Sequence, residues 1–111
     1  MDGAIVVLST TASKDEAKRI ALALVEGRLA ACVQVVRGIE SVYRWKGKVC
    51  VESECLLVIK TRESLFERLA ERLRSLHSYD VPEIVSLPVL KGTRDYLNWL
   101  EESVDSGGTV P

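Results

Sequence analysis

The chain is poor in the residues that most catalytic and metal-binding motifs need. Histidine occurs once among 111 residues, as His77, and asparagine, glutamine and methionine also occur once each. The three cysteines, Cys32, Cys50 and Cys55, contain no CxxC pair, which predicts free, buried thiols rather than a disulfide framework. The sequence has no nucleophile elbow, no HExxH pattern and no P-loop. We therefore expect a protein that is not an enzyme.

Charge and hydropathy exclude further classes of protein. Fifteen basic and sixteen acidic residues give a net charge of -1, so the chain has no net positive charge that would favour binding of nucleic acid. The first apolar run, residues 4–8, is too short for a signal peptide or a membrane span. We expect a cytoplasmic protein without membrane spans. The 28% of charged residues, with so little asparagine and glutamine, is typical of thermostable proteins.

The first half of the chain alternates between strand and helix patterns. Residues 4–10 form an unbroken apolar, β-branched run that predicts a central strand. Ser13 and Glu16 form a capping box for a helix that Gly27 ends. Residues 29–45 predict a long strand, with a bulge or bend where Gly38 follows Arg37. The segment Lys-Gly-Lys at 46–48 predicts a hairpin into a strand over residues 49–61.

The second half repeats this alternation. Thr61 is the predicted cap of a helix whose apolar face contains Leu65, Phe66, Leu69, Ala70, Leu73 and Leu76. Pro82 precedes a predicted strand over residues 83–89, and Thr93 opens a last helix with Leu97, Leu100 and Val104 turned inward. Residues 105–111 predict a frayed tail after an ordered core of about residues 4–104.

This order of elements predicts one α+β domain over residues 1–111. The order β-α-β-β-α-β with a terminal helix is the ferredoxin-like split βαβ arrangement, in which both main helices cover one face of the sheet. Residues 33–36 and 56–60 are apolar at nearly every position, so the second face must also be covered. The simplest cover is another subunit, which the hairpin arms of about fifteen residues are long enough to reach.

Several segments resemble the CutA divalent-cation tolerance family. They are RLAACVQVVRGIESVYRWKGKV, LLVIKT, the pattern H-x-Y-x-V-P-E-I and DYLNWL, in family order over about nine-tenths of the chain. The resemblance implies a ferredoxin-like fold, a compact homotrimer with an architecture similar to the PII signalling proteins, and an association with tolerance to copper and other divalent cations.

The resemblance also implies metal ligands, of which this chain keeps few. Some members proposed to bind copper carry a cysteine at the end of the first strand and a second histidine, where this chain has Ser9 and Leu76. His77 remains as a metal ligand, and Cys32 is a soft candidate ligand for Cu(I). The alternatives are a helix-terminal His77 that interacts with the helix dipole, and a Cys32 that only packs in the core.

A second candidate site is a cleft for a small ligand. Cys32, Lys60, Tyr79 and Glu83 lie near strand ends that can converge, and together they offer both charge signs. The alternative is a buried Lys60–Glu83 ion pair that binds nothing.

Other polar and aromatic residues have simpler interpretations. Glu52 and Glu54 share one strand face and could hold a hard cation, or pair with Arg44. Cys50 and Cys55 point to opposite faces and cannot chelate one ion together. Three aromatic residues are predicted subunit-interface anchors: Tyr43, Trp45 and Trp99.

Two functions follow from these patterns. The first is a non-enzymatic homotrimer of the CutA type that binds copper or another divalent cation and takes part in the response to metal ions. The alternative is a PII-like trimer that senses a small molecule in an inter-subunit cleft.

Overall fold

The computed structural model describes residues 2–106 and has the predicted α+β, ferredoxin-like order of elements. Four antiparallel strands form one sheet in the order β2-β3-β1-β4. The elements in chain order are β1 (Ala4–Thr11), α1 (Lys14–Glu26), β2 (Cys32–Trp45), β3 (Lys48–Arg62), a 3-10 turn (Glu63–Leu65), α2 (Phe66–Leu76), β4 (Val85–Pro88) and α3 (Arg94–Ser103).

One face of the sheet packs against helices α1 and α2, and we call it the helix face. Along β1 every second residue is buried, and the register aligns these residues with the buried residues of β3. Burial of each large apolar side chain here contributes about 1.5–3 kcal/mol. The core of this face contains Val7, Leu57 and Ile59 from the sheet and Ile20, Leu24, Leu65, Leu69 and Leu73 from the helical segments.

The long hairpin follows the local turn signals. Lys46 and Gly47 both have positive φ, 50° and 80°, which is the conformation of a two-residue type I′ turn. The register of β2 against β3 shifts between Val36 and Ile39, where Gly38 adopts a φ of 71°. The predicted bulge and hairpin are thus both confirmed, and residues 39–54 project as a two-stranded arm.

The other face, which we call the outer face, is only partly covered. Helix α3 contacts β1 and β3 and buries Leu100. On this face Val85 and Leu87 of the edge strand β4 remain exposed. On the arm Val42, Val49 and Val51 are exposed as well, on the strand face that carries Cys55. Sheet faces of this kind are normally covered, so one chain does not complete its own second layer.

Several predicted boundaries were wrong. Strand β2 begins at Cys32 rather than residue 29, because the amides of Leu29 and Ala30 still donate to the carbonyl of Leu24 in α1. Strand β4 covers only Val85–Pro88 rather than residues 83–89, since it pairs with only four residues of β1.

The predicted cap of the second helix was also wrong. The Thr61 hydroxyl donates to the Leu29 carbonyl at 2.7 Å, from inside β3, instead of capping a helix. The carboxylate of Asp2 accepts the amide of Ser64 at 2.8 Å, where the 3-10 turn begins. The carboxylate of Asp2, which is distant in sequence, therefore takes the capping role.

Asp105, the first residue of the predicted tail, is held by contacts with distant parts of the chain. The Asp105 amide donates to the Arg28 carbonyl at 3.0 Å, and its carboxylate contacts the guanidinium groups of Arg28 and Arg68. Residues 107–111 lie outside the described part of the chain. Within residues 2–106, no helix combines the length and the hydropathy that crossing a membrane requires.

Candidate functional site

His77 ends α2 and connects it to the end of β1. Its side chain is fully buried, and its Nε2 lies 2.7 Å from the carbonyl oxygen of Thr10. The Tyr79 amide donates to Nδ1 at 3.0 Å. Both ring nitrogens of His77 are therefore hydrogen-bonded to backbone groups. His77 thus ends α2, as predicted, and also cross-links it to β1, whereas its interaction with the helix dipole stays a prediction.

Glu16 is a buried member of the same cluster that sequence analysis assigned only to a helix cap. Ser13 accepts the Glu16 amide at 3.1 Å, as predicted, but the Glu16 carboxylate accepts the amides of Ser78 at 2.7 Å and Ala12 at 3.4 Å. Burial alone would raise the pKa of Glu16, but these hydrogen bonds to the ionised form outweigh it and lower the pKa overall. Glu16 thus holds the loop after α2 against the start of α1.

Tyr79 continues the cluster towards the outer face. Its hydroxyl donates to the Glu54 carboxylate at 2.6 Å, and its ring lies 4.7 Å from that of His77. Burial and the hydrogen bond to Glu54 raise the pKa of Tyr79, because both disfavour the phenolate. Thr10, His77, Tyr79 and Glu54 therefore form a continuous polar chain from β1 to the arm.

A cavity of about 610 Å³ lies where this chain meets the arm, and we call it the arm cavity. Glu54 and Tyr79 line it, and Glu83 and Asp80 come from the loop before β4. Its other walls are formed by Thr10, Ser41, Val42, Tyr43, Trp45 and Val81. The arm cavity therefore contains two of the four residues predicted for a small-ligand cleft.

The other two predicted residues, Cys32 and Lys60, face each other across β2 and β3 elsewhere on the sheet. The Lys60 ammonium donates to the Gln34 side chain at 2.5 Å, and Cys32 Sγ lies 4.0 Å from the Tyr96 hydroxyl. Lys60 is four residues along β3 from the partner of Thr10, roughly 13 Å at strand spacing. One chain therefore does not bring Cys32 and Lys60 together with Tyr79 and Glu83.

Within one chain the two predicted ion pairs are not formed, and a Lys60–Glu83 pair between subunits of a trimer stays a prediction. Within residues 2–106 no salt bridge joins Lys60 to Glu83, and the Lys60 ammonium is bound to Gln34 instead. Arg44 pairs with Val49, which places it on the strand face opposite Glu52 and Glu54. The bulge in β2 sets this register. Glu54 therefore accepts a hydrogen bond from Tyr79 instead of pairing with Arg44.

The thiols lie as the alternation of β3 predicts. Cys55 is buried in the core of the helix face, and Cys50 is half-buried on the opposite strand face. Cys32 is also half-buried. The described residues contain these as free thiols rather than as a disulfide.

The described residues of one chain do not bring together enough ligands to hold a resident metal ion. Both imidazole nitrogens of His77 are already hydrogen-bonded, and its nearest acidic atom, Glu16 Oε2, is 3.7 Å from Nδ1. Ser9 is buried, and its hydroxyl has no hydrogen-bond partner among the described residues. In that part of the chain no three His, Cys, Asp or Glu side chains are grouped closely enough to hold an ion.

The three aromatic residues predicted as interface anchors are all partly exposed. Tyr43 and Trp45 lie on the arm, and Trp99 lies on α3, where Tyr96 packs beside it at 5.4 Å. Their role as anchors stays a prediction, since it requires a second chain.

Comparison with known proteins gives consistent matches. The CutA1 divalent ion tolerance protein family matches residues 5–103. A curated relative, the divalent-cation tolerance protein CutA of Thermus thermophilus, is 53% identical over 98 residues, which are 88% of this chain and 95% of the relative. The chloroplastic protein CutA of Arabidopsis thaliana is 50% identical over 99 residues, 89% of this chain but only 54% of that protein.

A solved structure agrees with these sequence matches. The structure of the divalent cation tolerance protein (Cut A1) from Thermus thermophilus superposes with a TM-score of 0.90 at 51% identity, over 92% of this chain and 99% of that one. These matches favour the tolerance function over the small-molecule-sensing alternative. The present chain spans little more than half the length of the plant relative.

Proposed function

Because the chain belongs to the CutA1 divalent ion tolerance family, we propose that it acts in divalent-cation tolerance as a non-enzymatic homotrimer. In this proposal, copper or another divalent cation is bound by ligands that more than one chain contributes. The family match over residues 5–103 is the observation that carries the proposal. Its cytoplasmic location stays a prediction, since the plant relative is chloroplastic.

The exposed outer face supports assembly into a ring. Strands β2 and β4 are the two edges of the sheet, so each presents unpaired backbone groups to a neighbour. Basic residues Lys14, Lys18 and Arg37 line a groove beside β2, whereas Asp80 and Glu83 precede β4. Edges of opposite charge favour head-to-tail contact between copies, and such contacts generate closed rings when the rotation closes.

Shared ligation accounts for the positions of the candidate ligands. Cys32 and His77 lie roughly 13 Å or more apart in strand register within one chain, so they can meet one ion only across a subunit boundary. A metal at Nδ1 of His77 would also have to displace the Tyr79 amide. We therefore expect weak, micromolar affinity for copper(II) rather than the tighter binding of multi-nitrogen or thiolate sites.

Calorimetric titration of the purified assembly with copper(II) tests the proposal. We expect His77→Gln and Cys32→Ser each to weaken binding by about tenfold or more, and the matched variant Cys50→Ser to leave it unchanged.

His77→Gln needs a control for folding, since His77 is also a structural cross-link. The glutamine keeps a side-chain donor and acceptor, and urea unfolding without metal measures what stability remains. Equal copper affinity in the wild type, His77→Gln and Cys32→Ser would contradict binding by these residues. The tolerance function would then have to use another mechanism.

A further inference from the structure

The end of the arm carries a concentrated positive charge. We call residues 43–50 the arm tip, and they contain Arg44, Lys46 and Lys48 but no aspartate or glutamate. The rest of the chain has the opposite balance, with twelve basic and sixteen acidic residues. Charge of one sign at the end of a projecting hairpin favours contact with an anionic surface.

The three cations have no acidic partner in their own chain. All three residues are exposed, and none of them takes part in a salt bridge within residues 2–106. Trp45 lines the arm cavity together with Asp80 and Glu83 of the same chain, yet neither carboxylate pairs with a cation of the arm tip. The charge of the arm tip is therefore free to meet a second molecule.

Apolar surface adjoins this charge. Val42, Val49 and Val51 are all more than half exposed. Arg44 lies opposite Val49 in strand register, so it shares a strand face with these valines. The partner should therefore offer carboxylates next to apolar side chains, a combination that protein surfaces have and phosphate backbones lack.

The segment that leads into β4 has this combination. Residues 75–90 contain Asp80 and Glu83 but no lysine or arginine, and both carboxylates are exposed. Strand β4 is also an edge of the sheet, with backbone groups that a neighbour can approach. We call residues 80–87 the acidic edge. Its apolar residues are about half exposed or more: Val81, Val85 and Leu87.

We propose that the arm tip binds the acidic edge of a neighbouring copy of the chain. The cations of the tip donate to Asp80 and Glu83 of the neighbour, and the valines beside Arg44 pack against its Val81. This inference rests on the proposed homotrimer and adds which surfaces of two copies meet.

The course of β2 supports this pairing. The same strand runs from the basic groove beside Val33 and Val35 into the arm, so one acidic edge can contact the groove and the tip together. From Ile39 to Lys46 the arm extends roughly 23 Å at strand spacing, which is long enough to reach across a neighbour. Each copy offers one tip and one edge, so the contact repeats around a closed ring.

The rate of subunit exchange measures this contact in the intact assembly. Isotope-labelled and unlabelled protein are mixed, and native mass spectrometry follows the mixed assemblies. The tip variant Lys46→Glu/Lys48→Glu and the edge variant Asp80→Lys/Glu83→Lys each bring like charges together. We expect either variant to exchange about tenfold or more faster than the wild type.

Matched controls change the same charges on the exposed surface of α2. Arg72→Glu/Arg74→Glu and Glu67→Lys/Glu71→Lys should exchange at the wild-type rate. The milder variants Lys46→Gln and Glu83→Gln keep the test valid if charge reversal impairs folding, and each should speed exchange about twofold or more.

A mixture of the tip variant and the edge variant shows that the contact joins different chains. The reversed tip of one variant matches the reversed edge of the other, so mixed assemblies contain attractive contacts that neither variant forms alone. We expect mixed assemblies to outnumber unmixed ones. A tip–edge contact within one chain would gain nothing from mixing.

Salt gives an independent sign. In 1 M salt, charges are screened beyond about 3 Å. High salt should therefore speed exchange in the wild type, where the charges attract, and slow it in the tip and edge variants, where they repel.

Two results would overturn the proposal while leaving the homotrimer intact. The first is exchange of the tip and edge variants at the rate of the α2 controls. The second is wild-type binding to vesicles of anionic phospholipid that the tip variant loses while its exchange rate stays unchanged, because the partner would then be a membrane surface. A single-chain mass for the native wild type in light scattering would instead contradict the homotrimer and this contact together.

Discussion

The two halves of strand β3 are both rich in apolar residues but have opposite environments. In the half that follows Glu54, Leu57 and Ile59 are fully buried under the two helices. In the half that forms the arm, Val49 and Val51 are 63% and 61% exposed. A single chain therefore buries the apolar residues of the half after Glu54, whereas those of the arm would be buried only in the proposed assembly.

This contrast separates two sources of stability. Burial in the core half depends only on the fold of the single chain, whereas in the proposed homotrimer burial of the arm would depend on assembly and hence on protein concentration. Substitutions in the core half should consequently change the stability of the single chain, whereas substitutions in the arm should change its assembly. The effects should also differ in size.

The largest effect is expected from a charge in the arm. Val51→Asp would place an unpaired carboxylate in the proposed interface of every chain, and we expect it to convert the assembly to monomers at micromolar concentration. Sedimentation velocity measures the change. Ser106→Asp adds the same charge outside the arm and should remain assembled. An assembled Val51→Asp protein would place the interface elsewhere.

The next effect is expected in the core half. Leu57→Ala should lower the free energy of unfolding by about 2–5 kcal/mol through the lost transfer energy and the cavity it leaves. Urea unfolding at several protein concentrations checks both the size and the origin of the loss. Leu22→Ala, in a half-exposed position on α1, should cost far less. Similar losses in both variants would contradict the assignment of the core.

A smaller effect concerns pH and Glu16. The pKa of Glu16 is lowered from its ordinary value of 4.5 in the folded chain, so its contribution to stability is present above that value. The contribution is lost as the pH falls through the folded-state pKa. Urea unfolding between pH 7 and pH 3 should show a smaller decrease for Glu16→Gln than for the wild type.

Asp2 also contributes to the pH dependence of the free energy of unfolding. Its pKa is also lowered, because hydrogen bonds from Ser64 and the charge of Arg62 outweigh its burial. Some acid sensitivity should thus persist in Glu16→Gln. Identical pH profiles for the variant and the wild type would show that the hydrogen bonds of Glu16 to Ser78 and Ala12 contribute nothing.

The smallest perturbation uses the thiols as reporters. In the native assembly we expect Cys32, Cys50 and Cys55 all to react slowly with a thiol reagent and to react rapidly after denaturation. In the Val51→Asp monomer, Cys50 on the arm should become reactive while Cys55 in the core remains protected. Mass spectrometry of labelled peptides distinguishes them. Fast labelling of Cys55 in the native protein would contradict its burial.

Features with a short-range signal could be predicted from the sequence. Lys46-Gly47 requires positive φ and therefore marks a hairpin turn, Gly38 marks the bulge, and Ser13 caps α1 through a neighbour three residues away. The apolar pattern of residues 56–60 also predicts a covered second face, independently of the family resemblance.

Features set by long-range geometry could not be predicted. Asp2 rather than Thr61 caps the turn after β3, because the end of the chain happens to lie beside it. Arg44 and Glu52 lie on opposite strand faces, because the one extra residue at the bulge in β2 changes which side chains share a face. Likewise, local patterns predicted a capping role for Glu16 and a cation or Arg44 as the partner of Glu54, but not their hydrogen bonds to the loop at 77–79.

The mass of the native wild-type protein in solution tests the central claim most directly. Light scattering at micromolar concentration should give about 37 kDa, three times the chain mass of 12.3 kDa, because two further copies complete the arm and the outer face. A mass of 12.3 kDa under native conditions would contradict this account, since the exposed valines of the arm would then have no partner.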